Sequence, residues 1–172
     1  MTPALRNKLL AAGAAGAAAV AGVLVVQHEG TRHTPYRDPV GVLTVCEGIT
    51  GPDVVPGKRY SPAECAVLRD KHLQIAERAV QRHIRTYDSL NTWQQAALID
   101  FTYNLGETRL RTSTMARRFN AGQNELGCRE LSRWVYGNVG GQMVKLRGLV
   151  TRRGHEMDMC LNWGKQYGDP AP

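Results

Sequence analysis

Aromatic side chains are scarce: two Phe, three Trp and six Tyr make up 6% of 172 residues. That scarcity excludes a broad stacking platform for single-stranded nucleic acid. Cys-x-x-Cys is missing, and no Cys or His pair stands at zinc-ligand spacing, so the spacing carries no metal signature. After residue 28 there is no internal repeat and no low-complexity linker. From Leu9 to His28 there is no charged residue, and from 109 to 153 only Glu125 and Glu130 oppose ten Arg or Lys. Apolar residues at 42% and charged residues at 22% exclude a disordered, collagen-like or multi-span membrane chain.

What remains is a chain of one domain's size with a formal net charge of +7. Nearly all of the excess belongs to the 109–153 stretch. An acidic partner, whether nucleic acid, membrane surface or anionic polymer, is expected to meet that stretch. The alternative is a set of surface arginines that confers only solubility.

Arg6 and Lys8 precede the uncharged run from Leu9 to His28, whose twenty residues equal a bilayer-spanning length. Eight are Ala and three are Gly. The seven strongly apolar residues contribute about −2 to −4 kcal/mol on the insertion scale. That suffices for recognition by the export machinery and makes a poor permanent anchor. The basic flank predicts an N-terminus inside and the rest of the chain outside. Residues 1–28 therefore read as an export segment and residues 29–172 as the domain it carries. A signal cut after Ala19-Val20-Ala21, a stable anchor and a weak span that later leaves the membrane all fit. So does, more blandly, an Ala-rich helix buried in a soluble fold.

Four cysteines, Cys46, Cys65, Cys128 and Cys160, follow the segment. An even count on the exported side favours two disulfides over buried free thiols. Of three connectivities, Cys46–Cys65 and Cys128–Cys160 are favoured because each joins neighbouring predicted elements. The run itself contains no Cys.

Turn formers Asp38, Pro39 and Gly41 and the strand-prone Val42–Val45 predict a small hairpin between Tyr36 and Ile49. Ser61-Pro62-Ala63-Glu64 is a capping box with proline at the first helical position, opening a helix to about Arg85. Further helices are expected over 92–104, 113–121, 124–136 and 142–163, with a frayed tail from Gly168. Trp93, Leu98, Ile99 and Phe101 read as one core cluster, and Leu131, Trp134 and Val135 as another.

Glu29 and Asp38 are nine residues apart, near a predicted helix end and a turn, with the Thr44 hydroxyl six further on. Glycosidic cleavage needs such a set: an acid for the leaving oxygen and a carboxylate to activate water or attack carbon. A Glu emerging from the apolar Val23–Val26 is expected to meet desolvation, which favours the protonated acid, while Asp38 in a polar turn stays ionised.

The string Glu-Gly-x5-Tyr-x-Asp-x2-Gly-x2-Thr-x3-Gly, from Glu29 to Gly48, resembles the catalytic signature of the bacteriophage lysozymes of glycoside hydrolase family 24. Tyr103-Asn104-Leu105-Gly106, Arg111-Thr112-Ser113-Thr114 and Gly148-Leu149-Val150-Thr151-Arg152-Arg153 with Glu156 are similar to further family segments, in the same order. The resemblance runs from about residue 20 to 164. It implies an α+β, lysozyme-like fold, mainly helical with a small β-hairpin lobe. Glu29 is then the general acid, Asp38 the carboxylate that positions or activates water, and Thr44 the hydroxyl that helps hold it. The implied substrate is the β-1,4 bond between N-acetylmuramic acid and N-acetylglucosamine in peptidoglycan, cut with inversion. No cofactor or metal is implied, and a monomer is expected. Where many members carry His, this chain has Ile49, and Glu47 stands at a variable position. Of the five His residues, His28 beside Glu29 is the one worth testing.

The Leu9–His28 run resembles the signal-arrest-release segments of exported phage endolysins, which are weakly apolar and uncleaved. This implies a host inner-membrane tether facing the periplasm, followed by release. Val20–His28 is the chain available for the helix that carries Glu29, and it cannot span a bilayer and complete the site at once. Three rivals remain. A lytic transglycosylase breaks the same bond without water, and the water-holding pair Asp38 and Thr44 argues against it. A basic nucleic-acid-binding protein using 109–153 is opposed by the export segment and the want of a binding motif. A non-enzymatic wall-binding or membrane-lesion protein predicts lysis that does not need Glu29.

Overall fold

The computed structural model describes residues 1–38 and 41–170. The predicted turn residue Pro39, with Val40, and the tail residues Ala171 and Pro172 lie outside the described residues.

The uncharged run and its basic flank fold as two helices, α1 (Pro3–Gly13) and α2 (Ala17–Glu29). The break falls where Gly16 adopts φ 90°, a left-handed conformation open to glycine. Among the described residues no helix is long and apolar enough to cross a membrane. Val20, Ala21, Leu24 and Val25 of α2 are fully buried, and Leu5 and Leu9 of α1 join the same core. α2 has no apolar stripe because protein surrounds most of it.

Three antiparallel strands follow, β1 (Arg32–Arg37), β2 (Leu43–Cys46) and β3 (Ile49–Thr50), in that order. The predicted hairpin is thus extended by a third short strand. Val45, Cys46, Ile49, Val54, Tyr60 and Cys65 form a small separate core beneath this sheet.

Helix α3 (Pro62–His83) starts on the expected capping box: Ser61 Oγ accepts from the Glu64 N–H, and Glu64 accepts from the Ser61 N–H at 2.8 Å. Helix α4 (Thr92–Leu105) runs through the middle of the main core, with Trp93, Ala96, Ala97, Leu98, Ile99 and Phe101 essentially unexposed. The two expected aromatic clusters merge there, since Phe101 packs edge-on to Trp134 with centroids 5.2 Å apart. Short helices α5 (Glu107–Thr112), α6 (Thr114–Asn120) and α7 (Asn124–Glu130) wrap that core.

The expected helices over 124–136 and 142–163 are corrected. Their facing ends form a second hairpin, β4 (Tyr136–Val139) with β5 (Gln142–Lys145). Gly140 and Gly141, at φ 59° and 87°, make its two-residue turn, a conformation suited to tight hairpins. Helix α8 (Arg147–Asp158) then enters the core and continues through a wider turn, Met159–Trp163, to α9 (Gly164–Tyr167).

Disulfides join Cys46 to Cys65 and Cys128 to Cys160, as favoured from the sequence. Closing loops of 19 and 32 positions, they are worth about 3 and 4 kcal/mol on chain-entropy grounds. The tail is pinned rather than frayed as far as Pro170. Trp93 Nε1 donates to the Gly168 carbonyl at 2.7 Å, and the Thr92 N–H donates to Asp169 at 3.1 Å.

Candidate active site

Glu29 is the last residue of α2, and Gly30 ends the helix with φ 65°, turning the chain into β1. The Glu29 side chain is 26% exposed and its Oε1 accepts from Arg152 Nη1 of α8. Asn104 Nδ2 of α4 approaches the same oxygen at 3.4 Å. The expected apolar surround of Glu29 is therefore not what the fold supplies; its neighbour is a guanidinium. On the other side lies the β2–β3 turn. A Cβ on Gly48, which has φ 78°, would stand 3.4 Å from Glu29 Oε2, so the turn lies beside the carboxylate.

Arg152 is itself locked. Its Nε and Nη2 donate to the two oxygens of Asp100 at 3.0 and 2.6 Å. Asp100 and Glu156 are fully buried and Arg153 is 1% exposed. Arg153 Nη2 stands 2.8 Å from Glu156 Oε1 and donates to Asn104 at 3.0 Å. Burial pushes Asp100 up, but Arg152, with Glu156 and Arg153, offsets this and holds it below its ordinary value. Burial pushes Glu156 well above its ordinary value, against the pull of Arg153. Two of the ten basic residues of 109–153 are thus turned inward, where they organise the site.

Asp38 stands just past the end of β1 and bonds to Val42. Its N–H donates to the Val42 carbonyl at 2.9 Å, and its Oδ1 accepts from the Val42 N–H at 2.8 Å. Thr44, 4% exposed, pairs with Tyr36 across β1–β2. Strand alternation therefore sets Asp38 and Thr44 on one face of the hairpin. Thr44 Oγ1 donates to the Val42 carbonyl at 3.1 Å, which leaves its lone pairs to accept.

An open cavity of about 530 Å³ has His28, Glu29, Asn104, Leu149, Arg152 and His155 along its walls. A larger one, about 630 Å³, lies between α1, α2 and α3; its lining is mostly apolar and holds none of the three expected site residues. His28 Nε2 and His155 Nδ1 are 3.2 Å apart. Burial pushes His28 down to about 4, helped by Arg152 and opposed by Asp100. Among the described residues no cluster of three His, Cys, Asp or Glu is arranged to hold a metal ion.

The sequence shows Asn104, Arg152, Arg153 and Glu156 only as letters of family-like motifs, with no roles attached. Asp100 lies outside the motifs, three residues before Tyr103; a lone Asp amid Leu98, Ile99 and Phe101 is its one signal in the sequence.

The sequence model of the phage lysozyme family matches residues 26–156. A SAR-endolysin of bacteriophage PS119 is 45% identical over 172 residues, covering 96% of this chain and 99% of that one. The crystal structure of the active form of the P1 phage endolysin Lyz superposes with a TM-score of 0.72 at 31% identity. That match covers 82% of this chain and 83% of the other. The secreted inactive form of the same endolysin gives a TM-score of 0.50 at 29% identity, covering 64% of this chain and 75% of the other. On the family match and the near-full-length likeness, the chain belongs to the phage lysozyme family of peptidoglycan-degrading enzymes.

Proposed function

We propose that the enzyme is a muramidase that hydrolyses the β-1,4 bond between N-acetylmuramic acid and N-acetylglucosamine. Glu29 is the general acid. Arg152 and Asn104 engage its Oε1, so Oε2, on the Gly48 side, is the oxygen that hands its proton to the leaving sugar. Asp38 activates the attacking water and Thr44 helps to hold it, an arrangement that inverts the anomeric centre. The observation that carries the reading is a partly exposed glutamate fixed by a buried arginine in an open cleft.

A lytic transglycosylase would use the same glutamate and need no water. The shared hairpin face of Asp38 and Thr44 favours hydrolysis. Product masses decide between them: reducing ends are expected, and 1,6-anhydro ends would install the rival. Glu29→Gln keeps the shape and removes the proton, so activity should fall by at least about 100-fold with the fold intact. Lysis unaffected by that change would point to a non-enzymatic role.

We also propose that residues 9–28 first tether the protein to the host inner membrane, facing the periplasm, and then dock as α1 and α2. Two features support this: the run is charge-free, and the fold is nearer to the active P1 form than to its inactive one. On this reading, docking is the event that delivers Glu29 to Arg152.

A further inference from the structure

We propose that Glu47 is a positioning residue for the acid: through Thr31 it clamps the β2–β3 turn against Glu29. The inference rests on the reading of Glu29 as the acid. Glu47 is 2% exposed, although it is a carboxylate in a short turn. Its Oε1 accepts from Thr31 Oγ1 at 2.7 Å. Its Oε2 is buried and meets no hydrogen-bond donor among the described residues. A buried carboxylate is costly unless a donor meets it, so the one donor present sets its orientation strongly.

The donor's position gives the clamp its meaning. Thr31 follows Glu29 by two residues, and Gly48 follows Glu47 by one. The chain thus forms a small circuit. It runs from Glu29 through Gly30 to Thr31, across the hydrogen bond to Glu47, and on to Gly48, whose missing Cβ would stand 3.4 Å from Glu29 Oε2. Every link is short, so a shift at Thr31 or Glu47 is passed to the carboxylate.

The turn is anchored elsewhere as well. The Glu47 carbonyl accepts from Tyr103 Oη of α4 at 2.9 Å. Cys46 is tied to Cys65 of α3 and has φ 53°, the one positive φ of a non-glycine among the described residues. These ties hold the main chain of the turn to α3 and α4. Arg32 pairs with Cys46 across β1–β2, and among the described residues the Thr31–Glu47 bond adds the side-chain link to the stretch just past Glu29. Glu47 is too buried to touch a glycan, so its effect on the reaction passes through Glu29.

The test uses the full-length oxidised protein and steady-state hydrolysis of purified peptidoglycan fragments. Thr31 is exposed, so Thr31→Val removes the donor with little threat to the fold. It should lower kcat roughly 10- to 100-fold with KM held within about twofold. Thr31→Ser, which restores a hydroxyl, should recover kcat. Glu47→Gln, which keeps an acceptor, should lie between the two. Wild-type kcat in Thr31→Val, a Thr31→Ser no better than Thr31→Val, or a loss that tracks the unfolded fraction by circular dichroism would each overturn the clamp. Glu29→Gln runs alongside. If it is inactive while Thr31→Val is normal, only the clamp falls; if it is active, the acid assignment falls with it.

Discussion

Arg152 reaches Glu29 across 123 positions of sequence, joining the end of the second helix to the middle of the eighth. The same guanidinium grips Asp100 with its other two nitrogens, so one buried side chain serves both a structural and a site carboxylate. Arg suits this post better than Lys because its planar fork meets two partners at fixed angles.

Arg152→Gln leaves Asp100 fully buried without its cation. The expected cost is about 3–5 kcal/mol. In thermal melts that is a fall in Tm of roughly 6–20 °C. Asp100→Asn placed on top should restore part of the loss, since the orphaned charge goes with it. An Arg152→Gln protein melting like the parent would show that the pair is idle.

The histidine pair sets an acid limit. Above pH 6.5 His28 is neutral in both folded and unfolded chains and adds no pH dependence. Below that, the unfolded chain takes up a proton first, because burial holds the folded His28 at about 4. Stability is therefore lost as pH falls from 6.5 toward 4. His155, Arg152 and Arg153 face His28 and add to the effect, while Asp100 opposes it. His28→Gln should flatten the fall in Tm between pH 7 and about 4.5. An equal fall in parent and variant would assign the acid sensitivity to other groups.

Release is tested at positions that do not burden the docked state. Gly13 and Gly22 are poor choices, because a Cβ would meet Pro170 at 2.8 Å and Leu73 at 3.2 Å. Ala11, Ala14 and Ala15 are exposed once docked. Changing all three to Leu adds about −1 to −2 kcal/mol to membrane insertion. The variant should stay in the membrane fraction and delay lysis, yet clear cell walls normally once extracted with detergent. Full activity of the membrane-held form would reduce the segment to a plain anchor.

Much of this was legible in the sequence. The string from Glu29 to Gly48 marked Glu29 and the hairpin after it, the Ser61–Glu64 box marked the start of α3, and cysteine spacing marked both disulfides. These signals are local, and local chemistry survives in a linear string. The β4–β5 hairpin was hidden because Trp134, Val135 and Val144 fit a helix as well as a strand, and the Gly140-Gly141 turn was the deciding mark. The inward turn of Arg152 and Arg153 was hidden for a deeper reason. A run of basic residues reads as surface until Asp100, some fifty positions earlier, supplies the counter-charge. Glu47 was opaque in the same way, since its partner Thr31 lies sixteen positions upstream.

The end of α1 and the C-terminal tail meet at one indole. Trp93 is 1% exposed, gives its N–H to Gly168, and would lie 3.0 Å from a Cβ on Gly13. On the proposed docking, departure of α1 and α2 for a bilayer would open that side of Trp93 to water. Its fluorescence emission would then shift to the red, and return to the blue as the segment docks. The indole would serve as an optical gauge of that proposed step, readable without a label.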